Sequence, residues 1–155
     1  MNRLALCLLL IAGLASSCKT TTEELITPAV DPRDRMVGTY DIGYSVVIRF
    51  GSKATTPETY TGTLAVTKST SPNELFLDFD APGMKEKLRA SLVDSTFTVL
   101  DKKTQPIILN GTSFTGQFSA TGMFVREGGQ QKVTYTGVSE DVDLKLVTSL
   151  TGTKK

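Results

Sequence analysis

The chain has 155 residues, 39% hydrophobic and 21% charged, with 17 basic against 16 acidic side chains, two Cys, no Trp and no His. That length supports one ordinary domain with a buried core. Without His, imidazole-based triads, the common catalytic zinc sites and His proton shuttles are excluded, and the balanced charge excludes a strongly basic surface for nucleic acid.

Arg3 precedes an apolar run over residues 4–14, and Ala15-Ser16-Ser17 supplies small residues for cleavage. The run is shorter than the roughly 20 apolar residues a membrane helix needs, so residues 1–17 read as an export signal that is removed. The string Leu14-Ala15-Ser16-Ser17-Cys18 resembles a bacterial lipobox. That resemblance implies a lipoprotein signal peptide and an acylated Cys18 at the head of the mature chain; ordinary signal-peptidase cleavage at the same bond is the alternative. Cys7 leaves with the signal, so no intrachain disulfide is available. Removing residues 1–17 takes away Arg3 and no acid, leaving the mature chain electrically balanced. With no polybasic patch, the expected membrane contact is the lipid itself. Lys19 follows Cys18 in place of the Asp that would resemble an inner-membrane retention signal, which points to the outer membrane, on its periplasmic or surface side.

Residues 18–35 are rich in Thr, Pro and charge without a sustained period, and read as the lipidated Cys and a flexible tether. Fully extended, a tether of this length reaches roughly 55 Å. From residue 36 to 155 period-two alternation takes over. Tyr40, Ile42, Tyr44, Val46, Ile48 and Phe50 fall on one side of a long strand, with Thr39, Asp41, Gly43, Ser45 and Arg49 on the other. The pattern recurs over 60–66, in Leu75, Leu77 and Phe79, and in Phe114, Gly116, Phe118 and Ala120. These are half-buried antiparallel strands. Pro82-Gly83, Asp94-Ser95, Asn110-Gly111 and Gly128-Gly129 let the chain reverse, Asn110-Gly111 with the residues of a type I′ hairpin. The 84–92 stretch fits either period; a strand from Lys87 onward is favoured, with a one-turn helix over 84–87 as the alternative. Further strands are expected over 132–136 and 142–150. About eight or nine strands suit an all-β fold, either a small antiparallel barrel or a two-sheet sandwich, closure having the merit of removing exposed edges.

Gly38-Thr39-Tyr40, Leu88-Arg89-Ala90-Ser91-Leu92, the 94–99 hairpin and Phe114-Thr115-Gly116-Gln117-Phe118-Ser119 resemble small lipoproteins of Bacteroidota with a lipocalin-like, calycin-like β domain. Gly-x-Tyr stands where true lipocalins carry Gly-x-Trp. The resemblance implies a cell-envelope location and a barrel, and makes Asp94-Ser95-Thr96 similar to an O-glycosylation motif, with Ser95 as the acceptor; a plain turn is the alternative.

Catalysis has little to rest on. Asp78 with Asp80, and Glu140, Asp141 and Asp143, are the acidic groups that a carboxylate-based hydrolase or a calcium site would use. Their spacing is that of solvated strand and loop positions, and no calcium-loop pattern is present. No catalytic residue, metal or cofactor is assigned. Tyr40, Tyr44, Phe97, Phe114, Phe118 and Tyr135 take inward positions and are the candidate lining of a ligand cavity, the same residues serving as plain core if the interior is filled. The expected function is therefore a non-catalytic binding or interaction domain, with a small hydrophobic ligand or an envelope protein as partner. A structural or partner-binding lipoprotein with a filled core is its rival.

Overall fold

The computed structural model describes residues 30–155. A short 3-10 helix, η1 (Pro32–Arg35), leads into ten strands: β1 (Gly38–Phe50), β2 (Lys53–Ala54), β3 (Glu58–Lys68), β4 (Glu74–Ala81), β5 (Met84–Val93), β6 (Thr96–Val99), β7 (Thr104–Leu109), β8 (Thr112–Glu127), β9 (Gln130–Asp141) and β10 (Leu144–Lys154). Eight of them, β1, β3, β4, β5, β6, β8, β9 and β10, form an antiparallel meander. It closes when β10 pairs with β1 from Tyr40↔Lys154 to Phe50↔Leu144. The fold is a barrel rather than a sandwich. The extra strands, β2 and β7, pair with β1 and β8.

The alternation read from the sequence sets which side chains enter the barrel. Tyr40, Ile42 and Tyr44 are buried from β1, Leu64 and Val66 from β3, Leu75, Leu77 and Phe79 from β4, and Leu88, Ala90 and Leu92 from β5. The expected strand from Lys87 begins three residues earlier, at Met84, and the 84–87 helix is not formed. Gly83, at φ 75°, supplies the left-handed residue that follows Pro82 in a tight turn, so the ladder resumes at once with Ala81 opposite Met84. The last strand starts at Leu144 rather than 142, because Val142 itself makes the β9–β10 turn.

The two ends of the barrel differ. At one end lie the β3–β4, β5–β6 and β8–β9 turns, and there the interior is filled. Rings run up the axis in contact: Tyr40 and Phe124 at 6.0 Å, Phe124 and Phe97 at 5.2 Å, Phe97 and Tyr135 at 6.5 Å, Tyr135 and Phe79 at 5.5 Å between centroids. Each such pair adds to the area it buries. Met36 plugs the floor, fully buried, and its carbonyl accepts the Tyr40 hydroxyl at 2.7 Å. Burial pushes the Tyr40 phenol up to about 12.

Residues 31–35, expected to belong to the tether, are part of this plug. Asp31 caps η1 by accepting the Arg33 N–H at 2.9 Å. The Arg33 guanidinium, almost wholly covered, donates to the carbonyls of Ser69, Ser71 and Glu74 at 3.2, 2.7 and 3.2 Å, and its other edge meets the Asp31 carboxylate. A buried Arg is tolerable because its fork is matched donor for acceptor. Hydrogen bonds from Arg33 hold the Asp31 carboxyl well below its ordinary range.

Two tests follow from this packing. Gly122 lies opposite Phe97, and a Cβ there would overlap both the Phe97 ring and the Thr134 carbonyl. Gly122→Ala should therefore cost about 2–3 kcal/mol in urea unfolding, the upper range for overpacking, since a backbone atom is one of the obstacles. A depressed folded-state pKa contributes stability above the unfolded carboxyl value of about 3.9 and loses it as pH falls below. The urea midpoint of wild type should thus exceed that of Asp31→Asn at neutral pH, with the gap shrinking from about pH 4 downward; a gap independent of pH would refute the ion-pair account.

Candidate functional site

The opposite end of the barrel carries the β1–β2–β3 connection and the β4–β5, β7–β8 and β9–β10 turns, and the strands do not close over it. Burial along β1 falls from Tyr40, Ile42 and Tyr44 to the half-buried Val46 and Ile48, and ends at the exposed Phe50. Here a cleft of about 930 Å³ opens.

The cleft exists because the wall is broken on one side. β6 pairs with β5 only from Ala90 to Val93. Leu100 still donates its N–H to the Arg89 carbonyl at 2.8 Å, but Asp101 then places both carboxylate oxygens 3.0 Å from the Arg89 N–H and caps the β5 edge where a continuing strand would bond. Past this point the chain leaves β5 and pairs with β8 alone as β7. Among the described residues no strand covers the outer edge of β5 from Met84 to Leu88. β7 instead leans into the open end, touching β9 and β10. Ser139, fully buried, donates to the Gln105 carbonyl at 3.1 Å, and Ile107 is buried beneath. The other face of β7, Pro106 and Ile108, turns to the cleft.

Opposite β7 stand Tyr44, Val46 and Ile48 of β1 and Tyr60 of β3, with Leu146 and Thr148 of β10 beside them. Tyr44 and Tyr60 stack with centroids 5.2 Å apart. The Tyr44 hydroxyl donates to the Pro82 carbonyl, tying the β4–β5 turn to the wall, and the Tyr60 hydroxyl donates to Glu58 at 2.6 Å. Burial raises the Tyr44 phenol, and the Glu58 hydrogen bond raises that of Tyr60. Across the gap in the wall, Lys102 bonds both oxygens of Glu86, at 2.8 and 2.7 Å, and its ammonium lies 4.5 Å over the Phe118 ring. Glu86 takes an inward position on β5, and the ion pair ties that strand to the β6–β7 connection.

Tyr135 forms the floor. Its ring rests on Phe79 and Phe97 and only 3% of the residue is exposed. Its hydroxyl lies over Gly137, where an added Cβ would come within 2.9 Å of it. Burial, aided by the Glu86 charge, raises the phenol far above its ordinary value and keeps it neutral.

Of the six aromatic residues expected to line a cavity, Tyr44 and Tyr135 do so. Tyr40 and Phe97 lie in the filled half, where neighbouring rings occupy the space around them. Phe118 is buried beneath Lys102. Phe114 extends past the last β8–β9 pair on the projecting β7–β8 hairpin and is 37% exposed. Ser95 lies in the β5–β6 turn at the filled end, half-buried, its hydroxyl 3.5 Å from Arg35. Cys18 falls outside the described residues. Asp78 and Asp80 lie on the outer face, Asp80 paired with Lys85 at 3.0 Å. Tyr60, Glu86 and Lys102 were not anticipated. A signal for Tyr60 existed, since its strand alternates in phase with Leu64 and Val66; Glu86 and Lys102 read as surface charges.

No protein-family model and no curated protein matches the chain. Among solved structures, a protein of unknown function from the DUF3598 family of Nostoc punctiforme is similar at 13% identity and a TM-score of 0.48, over 79% of this chain and 48% of that one. A structural-genomics protein of unknown function from Bacteroides ovatus is similar at 15% identity and a TM-score of 0.39, over 76% of this chain and 41% of that one. The chain spans less than half the length of either.

Proposed function

We propose that this protein is a lipid-anchored component of the cell envelope whose barrel holds a small hydrophobic ligand in its open half without transforming it. The observation that carries this reading is the cleft: about 930 Å³, with an apolar wall of Tyr44, Val46, Ile48, Met84, Ile108 and Leu146 standing beside polar groups that include Glu86, Lys102 and Gln105. Small-molecule sites have this size and combine apolar walls with placed polar groups. The anchor rests on the resemblance of residues 14–18 to a lipobox, and the outer membrane on Lys19 after Cys18. The chain enters the barrel through η1 at the filled end. A lipid on Cys18 would thus hold the protein from that end and leave the mouth unobstructed.

The rival reading, a structural or partner-binding lipoprotein, draws on Phe50, Ile108, Phe114 and Val142, large apolar side chains exposed around the open rim. Apolar surface gathered at one end suits a protein contact as well as a ligand portal.

Native mass spectrometry on protein purified from its own envelope separates the two, with a Cys18→Ser protein alongside. The carrier reading expects a co-purifying small molecule on both proteins, and acyl chains on the wild type alone. A ligand-free barrel isolated with another polypeptide would favour the rival, and an unmodified Cys18 would remove the anchor.

A further inference from the structure

The inner end of the cleft is polar, and the charges there, Glu86 and Lys102, neutralise each other. Of its cations, Lys102 is held by both oxygens of Glu86, and Lys85, at the rim, pairs with Asp80. Of its carboxylates, Glu86 is taken by Lys102, while Glu58, exposed at the rim, accepts only the neutral Tyr60 hydroxyl. An anionic head would have to draw Lys102 away from Glu86, leaving a carboxylate unpaired in a half-buried site. A cationic head would do the converse. Either loss is costly where water is scarce.

Two neutral hydroxyls have no such partners. Tyr135 is 3% exposed and Thr148 8%, and both line the cleft. Among the described residues neither hydroxyl is engaged in a hydrogen bond, and neither oxygen is sealed off, so both open onto the cleft. They are also adjacent. The Tyr135 ring leans along β9 so that its hydroxyl lies over Gly137, and Gly137 is the register partner of Thr148 on β10. Facing residues on neighbouring strands have Cβ atoms about 5 Å apart. Gly137 makes the arrangement possible, since any larger residue would fill the place of the phenol.

Resting on the carrier reading above, we propose that the Tyr135 and Thr148 hydroxyls seat the uncharged polar head of an amphipathic ligand, a hydroxyl or ester such as a monoacylglycerol carries, with its apolar body running out between Tyr44, Tyr60 and Leu146. Each hydroxyl both donates and accepts, so together they match a head that does the same. The self-neutralised Glu86–Lys102 pair excludes fatty acids and alkylamines of equal length. Selectivity then comes from the penalty that a charge incurs as much as from the bonds that a neutral head forms.

The test compares three probes sharing a twelve-carbon chain, 1-monolauroylglycerol, lauric acid and dodecylamine, titrated at neutral pH by calorimetry into the Cys18→Ser protein, which carries no acyl chains of its own. The monoacylglycerol should bind at least tenfold tighter than either charged probe. Tyr135→Phe, which keeps the ring and its packing, should weaken the monoacylglycerol about five- to tenfold, the loss of one hydrogen bond, and leave lauric acid unchanged. Lys102→Met with Glu86→Gln should narrow the preference over the charged probes. Equal binding of all three probes, or a preference untouched by Tyr135→Phe, overturns the seat while leaving the carrier reading standing. Binding of none of them overturns both.

Discussion

Closure of β10 onto β1 is the constraint on which the rest of this structure depends. An eight-strand barrel has an interior that side chains alone can fill, or that holds one small ligand if they do not. With strand number fixed by closure, the content of the interior depends on how much side-chain volume each level contributes. At the level of Tyr40, Phe97 and Phe124 three rings and the surrounding Leu and Val side chains fill the cross-section, and Met36 seals it from below. Toward the mouth the inward positions become Val46, Ile48, Thr148 and Gly137, and volume runs out before the strands do. The same closure leaves the filled half as core and the open half as a cleft.

The break between β6 and β7 gives the open half its shape. Pro106, which cannot donate to a ladder, lies on β7, a strand paired on one edge only, and Pro belongs on an edge. The chain instead leaves β5 at Asp101, whose carboxylate satisfies the Arg89 N–H, and β7 is held by β8, by Ile107 and by the Ser139 bond to Gln105. Lys102, at the break, then pairs with Glu86 from the abandoned part of β5. An interrupted ladder is thus repaired by a carboxylate cap and an ion pair.

Much of this was legible in the sequence, because alternation reports the face of a strand. The long strand from Tyr40 to Phe50, the hairpin at Asp94-Ser95 and the turn at Asn110-Gly111 stand where period two and turn chemistry place them. Alternation does not report height along the barrel axis. Tyr40, Phe97 and Tyr135 share an inward face, but only Tyr135 lies where neighbours stop filling the space around it. β7 escaped because both its faces are engaged, Ile107 against β9 and Ile108 toward the cleft, which erases the period. Residues 31–35 escaped for another reason. Asp31-Pro32-Arg33-Asp34-Arg35 is a charged, Pro-containing string typical of linkers, and what buries Arg33 is three carbonyls of a distant turn, a partner that no local pattern reveals. Glu86 disguised the start of β5 in the same way, as a charge at an inward position.

These same features divide the molecule energetically. The filled end holds the aromatic column, the Met36 plug and the Arg33 bonds, while the register through β9, β10 and β1 runs unbroken from end to end. The open end holds a strand paired on one edge only, a β5 edge that no other strand pairs before Ala90 among the described residues, and an ion pair from that edge to the β6–β7 connection. Local opening is drawn from the parts of a fold with the fewest buried contacts and ladder bonds, and β7 belongs to them. A ligand in the cleft would touch Pro106 and Ile108 on one side and Tyr44 and Tyr60 on the other, supplying the packing that the broken wall withholds. The apolar contact absent from the barrel's own wall is therefore the one a ligand there would supply, at the end of the barrel remote from the packed aromatic column.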